Sequence, residues 1–324
     1  TSVSLRMKVL PLIAAIVLVA FALTIGLLTY QASTLQKAVV LKYTEQLART
    51  HASQTSARIE AAMDSARAMA QALRGIKSVG LTDRTATDAM LKSVLEGHTS
   101  FLGVWTCWEP DAFDGKDAEF AGTPGHDATG RFIPYWNRGA GNLAIEPLVD
   151  YEKPGVGDYY LLAKQSGDET LIEPYAYKVA GKDVLMTSVV VPIQVDGKFV
   201  GVVGIDLPLD GFQAEVRKIR PYDTGFASLI SNSGLYVADV DDKNGGKDIG
   251  TTATDLATKA AIQAGQTHES HYFDDQLQTD MTRFYVPVKV GATKTAWSFA
   301  ATVPDDKALA EAHQLRYMAA GLGL

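Results

Sequence analysis

The stretch VPIQVDGKFVGVVGIDLPLD, residues 191–210, decides the fold of this chain. Its two apolar runs flank Asp196-Gly197, and an Asp-Gly pair between alternating apolar residues is the strongest short signal for a β-hairpin. The β-branched residues at 200–205 favour a central antiparallel strand. The segment 210–219 predicts a helix that ends before Pro221. These residues therefore predict an antiparallel sheet whose central hairpin runs straight into a helix.

The rest of the chain after residue 76 alternates short apolar strands with Gly, Pro and Asp residues, in two blocks. In the first block we expect a helix at 82–95 and five strands, at 101–108, 131–136, 170–177, 184–193 and 199–207. In the second block we expect a helix at 255–264 and five strands, at 226–231, 235–239, 268–273, 283–290 and 297–303. A chain of 324 residues exceeds the size of one core. We therefore expect two modules, a larger one at 76–220 and a smaller one at 221–304.

Residues 9–28 form an uncharged apolar run, and roughly 20 such residues are enough to cross a bilayer. Arg6 and Lys8 precede the run, so the positive-inside rule places residues 1–8 in the cytoplasm. A cleaved signal peptide is the alternative, but its apolar core would be shorter, about 7–15 residues. The run therefore predicts a membrane-spanning helix at 9–30.

The segments on either side of the two modules predict helices that connect them to the membrane. Residues 31–73 contain no Gly or Pro and have apolar residues at helical spacing, so we expect one long helix at 31–75 that ends at Gly75. Residues 305–316 predict an exit helix, and the apolar residues 317–324 predict the start of a second span. The predicted fold class is α+β, with a long N-terminal helix carrying two α/β modules and transmembrane helices on both sides.

Composition and motif spacing argue against several classes of function. The formal net charge of -7 disfavours a nucleic-acid surface. A single cysteine, Cys107, excludes an intramolecular disulfide. His268 and His271 do not have the spacing of an H-E-x-x-H metal motif, and Gly201 and Gly204 lie inside a strand rather than in a phosphate-binding turn. We therefore expect no catalytic residues, no metal and no cofactor.

Aromatic residues of the larger block are grouped with one acidic strand residue, Asp206. The aromatic candidates are Trp105, Trp108, Tyr135, Trp136, Tyr175 and Tyr177. An aromatic face within about 6 Å of a cation contributes roughly 0.5–2 kcal/mol. A carboxylate then cancels the remaining charge, whose burial would otherwise be expensive. The pattern predicts a site for a small organic cation.

Each candidate also has a purely structural interpretation. A single Tyr or Trp in a strand is more often a packing residue than a ligand contact. Tyr135 and Trp136 are adjacent, so a regular strand directs them to opposite faces unless a bulge intervenes. Asp206 lies just ahead of the helix that begins near Leu209, and capping that helix is its alternative role.

Four stretches resemble the double-Cache sensing domain of bacterial methyl-accepting chemotaxis proteins: GRFIPYW (130–136), IEPY (172–175), VPIQVDGKFVGVVGIDLPLD (191–210) and DTGFASLISNSGLYVADVDD (223–242). The resemblance covers nearly the whole chain. It implies two PAS-like (Cache) modules on a long helix, with the ligand in the membrane-distal module, 76–220. It also implies cytoplasmic signalling partners and a homodimer through the long helix, whose Ala-rich face at 52–70 is compatible with close helix approach.

The chain departs from the amino-acid-binding members of that family at two positions. Those members carry an Arg-x-Trp-Tyr motif whose arginine grips the ligand carboxylate, and the matching residue here is Ile133. They also carry an aspartate two residues after the tyrosine of Glu-Pro-Tyr, where this chain has Tyr177. The strand aspartate is retained as Asp206. The pattern therefore favours an amine or a quaternary ammonium such as choline or a betaine, with Arg131 as the alternative partner for a carboxylate.

Several alternatives stay open at the level of sequence. The same sensor can precede a histidine kinase or a cyclic-nucleotide enzyme, and amino acids or purines are alternative ligands. A non-signalling, membrane-anchored binding protein is a further class. We expect residues 146–151 and 157–160 to cover the pocket, the ligand-binding region to lie in the periplasm of an inner-membrane protein, and the signal to leave through the helix at 305–316.

Overall fold

The computed structural model describes residues 5–306, and its first element is one uninterrupted helix, α1 (Leu5–Ser78). Among the described residues, only this helix is long and apolar enough to cross a membrane, and none of its apolar window is buried. The predicted end at Gly75 is wrong, because the helix continues to Ser78 and the chain turns at Gly80, where φ is +71°. Beyond Asp306, the predicted exit helix and second span lie outside the described residues.

The larger sheet contains seven antiparallel strands in the order β3-β2-β1-β7-β6-β4, with β5 also paired to β6. Its strands are β1 (Gly103–Trp108), β2 (Pro134–Asn137), β3 (Ala144–Pro147), β4 (Thr170–Leu171), β5 (Tyr175–Val179), β6 (Lys182–Val195) and β7 (Lys198–Pro208). The helices of this part are α2 (Arg84–Gly97), α3 (Asp117–Phe120) and α4 (Asp158–Ser166). The predicted strand 170–177 is divided, because Pro174 has no N–H for the ladder and lies between β4 and β5.

The predicted hairpin joins β6 and β7 through Asp196 and Gly197. Both residues have positive φ, +51° and +73°, as a two-residue hairpin turn whose twist matches its strands requires. The helix α5 (Leu209–Val216) follows β7 directly. This arrangement confirms the prediction made from residues 191–210.

The smaller sheet contains five antiparallel strands in the order β10-β11-β12-β8-β9. Its strands are β8 (Phe226–Ile230), β9 (Tyr236–Ala238), β10 (His268–Asp274), β11 (Thr279–Val288) and β12 (Trp297–Pro304). The helix α6 (Ala253–Gln263) begins with a capping box, in which Thr252 and Asp255 each accept from the other's backbone N–H. The α+β fold class is confirmed.

Helix α1 contributes to one core that reaches both sheets. Ile59, Met63 and Leu73 on this helix are fully buried in that core, together with Trp108 of the larger sheet and Trp297 of the smaller one. Several alanines of the helix lie in the same core, among them Ala52, Ala62, Ala66 and Ala70. Part of the Ala-rich stretch 52–70 is therefore covered by the chain's own sheets, while Ala57, Ala61 and Ala68 remain exposed.

Candidate ligand-binding site

The register of three neighbouring strands brings the main candidates to one face of the larger sheet. Trp105 on β1 is opposite Tyr135 on β2 and opposite Gly204 on β7. Asp206 is two residues further along β7 and is opposite Gly103. Because side chains alternate between the faces of a sheet, Trp105, Tyr135 and Asp206 share a face.

Two glycines make room for the aromatic rings on this face. A Cβ atom at Gly204 would overlap the indole ring of Trp105, and one at Gly103 would overlap the phenol ring of Tyr135. The rings therefore lie flat across the neighbouring strand, close to the Asp206 carboxylate. The glycines in the sequence GVVGID are the local signal for this close approach.

Asp206 is 2% exposed and accepts two hydrogen bonds from neutral groups. Trp105 Nε1 donates to Asp206 Oδ1 over 2.8 Å, and Ser188 Oγ on β6 donates to the same oxygen over 2.6 Å. Burial raises the pKa of the Asp206 carboxyl to about 6, although these hydrogen bonds favour its charged form. No Lys, Arg or His of residues 5–306 forms a salt bridge with this carboxylate.

The strand β5 adds two tyrosines to the same side. The Tyr175 hydroxyl lies 2.7 Å from Ser188 Oγ and so connects to Asp206 through the serine. Burial raises the pKa of Tyr175, and the nearby Asp206 charge raises it further. Tyr177 is edge-on to Tyr135, with ring centroids 5.7 Å apart.

A further aromatic residue, Tyr159 on α4, completes the group. Its ring meets Trp105 edge-on at 5.3 Å and Tyr177 edge-on at 5.5 Å, and it stacks on Tyr175 at 6.2 Å. We call the five rings around Asp206 the aromatic cage: Trp105, Tyr135, Tyr159, Tyr175 and Tyr177. Sequence reasoning assigned Tyr159 only to a covering helix, because a tyrosine on a short helix shows no sign of its distant strand partners.

The segment that we expected to cover the site is attached to the cage by backbone hydrogen bonds. Tyr159 donates through its hydroxyl to the carbonyl of Val149 over 2.5 Å, and the N–H of Val149 donates to the Tyr177 hydroxyl over 3.0 Å. Tyr151 donates to Asp127 over 2.8 Å, which holds the same segment from its other end. The covering segment, 146–151, therefore cannot move without disturbing two rings of the cage.

The Tyr135 hydroxyl lies beside the Asp206 carboxylate. It is buried and makes no hydrogen bond of normal geometry within the described chain. Burial raises its pKa strongly, with the Asp206 charge as the next cause. This hydroxyl therefore faces the same carboxylate that lacks a cationic partner among the described residues.

The structure does not bring Trp108 and Trp136 to this group. Both lie on the other face of the sheet, in or against the core that includes α1. The Trp108 ring packs edge-on to Phe113 at 4.9 Å, and Lys92 on α2 lies 5.6 Å from the centre of the Trp136 ring. Strand alternation separates them from the cage, so we withdraw both from the candidate site.

Arg131, the alternative partner for a ligand carboxylate, is engaged by the protein itself. Its Nε donates to the Trp108 carbonyl over 2.9 Å, and it pairs with Glu152 over 2.6 Å. Its guanidinium also lies 4.6 Å from the centre of the Tyr151 ring. At the position of the family's arginine, Ile133 is fully buried and apolar.

The capping role considered for Asp206 does not match the geometry. Helix α5 has Pro208 at its N-cap position and no side-chain cap, so Asp206 does not cap it. Burial raises the pKa of the Cys107 thiol strongly, as expected for an inert core cysteine. Among the residues that the structure describes, no cluster of three or more His, Cys, Asp or Glu side chains is arranged for a metal.

The described chain thus has two modules, each built on one antiparallel sheet, and the cage lies on the larger one. The family described as "Cache domain" matches residues 32–312, which is most of the chain. The chain belongs to the Cache family.

Three known proteins illustrate what the chain is similar to. The methyl-accepting chemotaxis protein TlpQ of Pseudomonas aeruginosa is 30% identical over 191 residues, which are 54% of this chain and 26% of that protein. The extracellular domain assigned to a histidine kinase, mmHK1S-Z3, is 32% identical with a TM-score of 0.77, covering 86% of this chain and 98% of that one. Methyl-accepting chemotaxis protein X is 26% identical with a TM-score of 0.70, covering 82% and 98%. The chain thus spans about a quarter of the curated relative that it matches.

Proposed function

We propose that this chain is the sensory region of a membrane-anchored chemoreceptor and that its larger module binds a small organic cation. The observation that carries the proposal is the Asp206 carboxylate, which is buried, has no cationic partner among residues 5–306 and is surrounded by five aromatic rings. The similarity to chemotaxis proteins supports the sensory role.

A cationic ligand resolves the energetic conflict at this position. A buried carboxylate without a counter-charge costs several kcal/mol on the usual scale. An ammonium group in the cage supplies that counter-charge, and its C–H or N–H groups contact the π-faces of the rings at roughly 0.5–2 kcal/mol each. The Tyr135 hydroxyl offers the ligand an additional polar partner.

Free amino acids fit this environment less well. Their carboxylate needs a cationic group, but the matching position is occupied by Ile133, and Arg131 is already paired with Glu152. Tyr177 lies at the position where the amino-acid-binding members of the family have a second aspartate, which helps to hold the α-ammonium group of the ligand. We therefore propose choline, a betaine or a simple amine as the ligand in preference to an amino acid.

The signal is proposed to leave the cage by two routes. The covering segment is tied to Tyr159 and Tyr177 through Val149, so ligand binding and closure of this segment are coupled. Two residues before Tyr175, the Glu173 carboxylate accepts from Ser233 Oγ over 2.6 Å, in a turn of the smaller module. A ligand that favours one arrangement of Tyr175 thereby favours one packing of the two modules.

The cellular setting follows from the same proposal. The apolar start of α1 would anchor the chain in the inner membrane, with both modules in the periplasm and an output region in the cytoplasm. A homodimer would use the side of α1 that the sheets leave exposed, which includes Ala57, Ala61 and Ala68. The similarity to mmHK1S-Z3 favours a histidine kinase as the second candidate output.

A thermal-shift panel on the chain in detergent micelles tests the ligand class. Choline, glycine betaine and ethanolamine represent the proposed class, and L-alanine, L-glutamate and adenine represent the alternatives. A ligand at 100 times its Kd stabilises the folded state by about 2.7 kcal/mol, which raises Tm by a few degrees. We expect such a shift with at least one cation of the panel and none with the amino acids or adenine.

Asp206→Asn keeps the shape and the hydrogen-bond acceptor but removes the charge, and it serves as the matched control. It should fold and show no shift with the cation that stabilises the wild type. A wild-type shift with an amino acid, or an unchanged cation shift in Asp206→Asn, would show that the assigned ligand or the role of Asp206 is wrong.

A further inference from the structure

The smaller module contains its own group of polar and aromatic residues around Arg283. Arg283 lies on β11, where it is opposite Ser270 on β10 and Thr302 on β12. Thr302 is in turn opposite Phe226 on β8. The register therefore places the guanidinium near the centre of the five-stranded sheet. It lies on the face opposite to the one that the buried neighbours Thr282 and Phe284 occupy.

Neutral groups hold the guanidinium in place. Its Nε donates to Thr302 Oγ1 over 2.7 Å, and one terminal nitrogen donates to the Tyr272 hydroxyl over 3.0 Å. The guanidinium carbon lies 5.2 Å from the centre of the Phe226 ring and 5.1 Å from that of the Tyr272 ring. These contacts fix the orientation of the fork but supply no negative charge.

No carboxylate of the described chain comes within ion-pair distance of Arg283. Three other sheltered arginines pair with carboxylates: Arg84 with Asp114 and Asp117, Arg131 with Glu152, and Arg67 with Glu169. A sheltered cation without a counter-ion is costly, so the Arg283 guanidinium favours an anionic partner.

The guanidinium lines a cavity of about 560 Å³, to which the start of α6 also contributes. The walls near Arg283 are aromatic, with Phe226, Tyr236, Tyr272 and Tyr285. Five carboxylates, none of them paired with Arg283, line the same cavity: Asp239, Asp241, Asp255, Asp274 and Asp275. A guest with one negative charge can pair with the guanidinium, whereas a second negative charge would meet these aspartates.

We propose that the smaller module holds a second ligand site, in which Arg283 binds a small molecule carrying a single carboxylate. The planar fork of an arginine matches a carboxylate with two parallel N–H···O bonds, and the aromatic walls accept an apolar tail. The two modules then have opposite charge preference, with a cation at Asp206 and a carboxylate at Arg283. This site is independent of the cage and does not require the proposed cation.

NMR titration of the chain in nanodiscs with ¹³C-carboxyl-labelled acetate, propionate and benzoate tests the site. We expect at least one of the three to bind, propionamide to fail because it lacks the charge, and succinate to bind more weakly because of the aspartates. Arg283→Gln should weaken the binding about ten- to a hundredfold, the usual effect of losing a hydrogen-bonded charge. Asp206→Asn should bind the carboxylate as the wild type does.

Tyr272→Phe and Thr302→Val provide a second test if Arg283→Gln does not fold. Each removes one hydroxyl that orients the guanidinium, and each should weaken carboxylate binding several-fold while circular dichroism stays unchanged. Failure of all three carboxylates to bind the wild type overturns the proposal. The proposal is also overturned if folded Arg283→Gln, or both hydroxyl variants, bind the carboxylate as tightly as the wild type does. Loss of carboxylate binding in Asp206→Asn would overturn it as well.

Discussion

At the scale of single residues, the Asp206 carboxylate is in an environment that disfavours its charged form. Its hydrogen bonds come from the neutral donors Trp105 and Ser188, and burial raises its pKa to about 6. In the unfolded chain an aspartate titrates near pH 4. Between about pH 4 and pH 6 the folded state therefore binds more protons than the unfolded state, and stability falls as the pH rises through this window.

Replacing the charge should stabilise the unliganded protein. Two pKa units correspond to about 3 kcal/mol, so Asp206→Asn should raise the free energy of unfolding by up to roughly this amount at pH 7. The gain should vanish near pH 4, where the wild-type carboxyl is already protonated. Chemical denaturation at both pH values checks this. The assigned environment of Asp206 would be wrong if Asp206→Asn were less stable than the wild type at pH 7. It would also be wrong if the gain in stability at pH 4 equalled the gain at pH 7.

Cation binding should depend on the ionisation of the same carboxylate. A quaternary ammonium such as choline keeps its charge at every pH, so a change in its affinity reports on the protein. We expect choline to bind about tenfold more weakly at pH 5 than at pH 7, because most Asp206 is protonated at pH 5. Calorimetry over this range measures the effect. Asp210→Asn, an exposed acid four residues away, should show the same profile, and a flat wild-type profile would exclude Asp206 as the titrating partner.

At the scale of elements, the central strand β7 makes room for the cage because one of its residues is a glycine. Gly204 has no side chain, so the Trp105 ring lies across it and reaches Asp206. The hairpin with β6 places Ser188 directly opposite Asp206. The strand β7 therefore supplies the carboxylate, and its two neighbours supply the donors that hold it.

Gly204→Ala should disrupt this arrangement. The added Cβ would overlap the indole ring, and displacing Trp105 should cost about 1–3 kcal/mol and weaken cation binding at least about tenfold. Thermal unfolding and calorimetry measure the two effects. Gly75→Ala is the matched control, because nothing lies within 4 Å of its Cβ and alanine favours a helix. Normal binding by Gly204→Ala would mean that Trp105 is not held as described.

At the scale of the whole molecule, α1 and a few polar contacts connect the two sheets. Arg67 on α1 pairs with Glu169 of the larger module, and it also pairs with Glu60, whose carboxylate accepts from the Gly291 N–H of the smaller module. The contact between Glu173 and Ser233 is different, because Glu173 is two residues from the cage residue Tyr175. It joins a residue next to the cage to the turn between β8 and β9.

Glu173→Ala should leave cation binding in the cage intact but weaken the transmission of its effect to the smaller module. Choline affinity should stay within about twofold, since Glu173 is outside the cage, and stability should fall by about 1 kcal/mol or less. Hydrogen exchange in β8 and β9 should lose the protection that choline gives the wild type. Lys294→Ala removes an exposed inter-module pair with Asp168 and should keep that protection. Unchanged protection in Glu173→Ala would contradict this route.

Local patterns determined much of the fold. The Asp196-Gly197 turn, the β-branched strands and the long helix follow from periodicity and turn chemistry, which act between residues close in sequence. The same local reasoning was wrong at Gly75, because a helical glycine is tolerated when the helix packs against two sheets. It also missed β3, which is half-buried at the sheet edge and has no strong pattern of its own.

The sequence by itself determined that the candidates include Asp206, Trp105, Tyr135, Tyr175 and Tyr177, because residue type alone shows which side chains can hold a cation. Only the tertiary structure decided which of them meet. Strand parity placed Trp108 and Trp136 on the far face, the packing of α4 added Tyr159, and the pairing of β10, β11 and β12 left Arg283 without a counter-ion. Contacts between residues 50 to 100 positions apart depend on register and packing, and no local pattern encodes them.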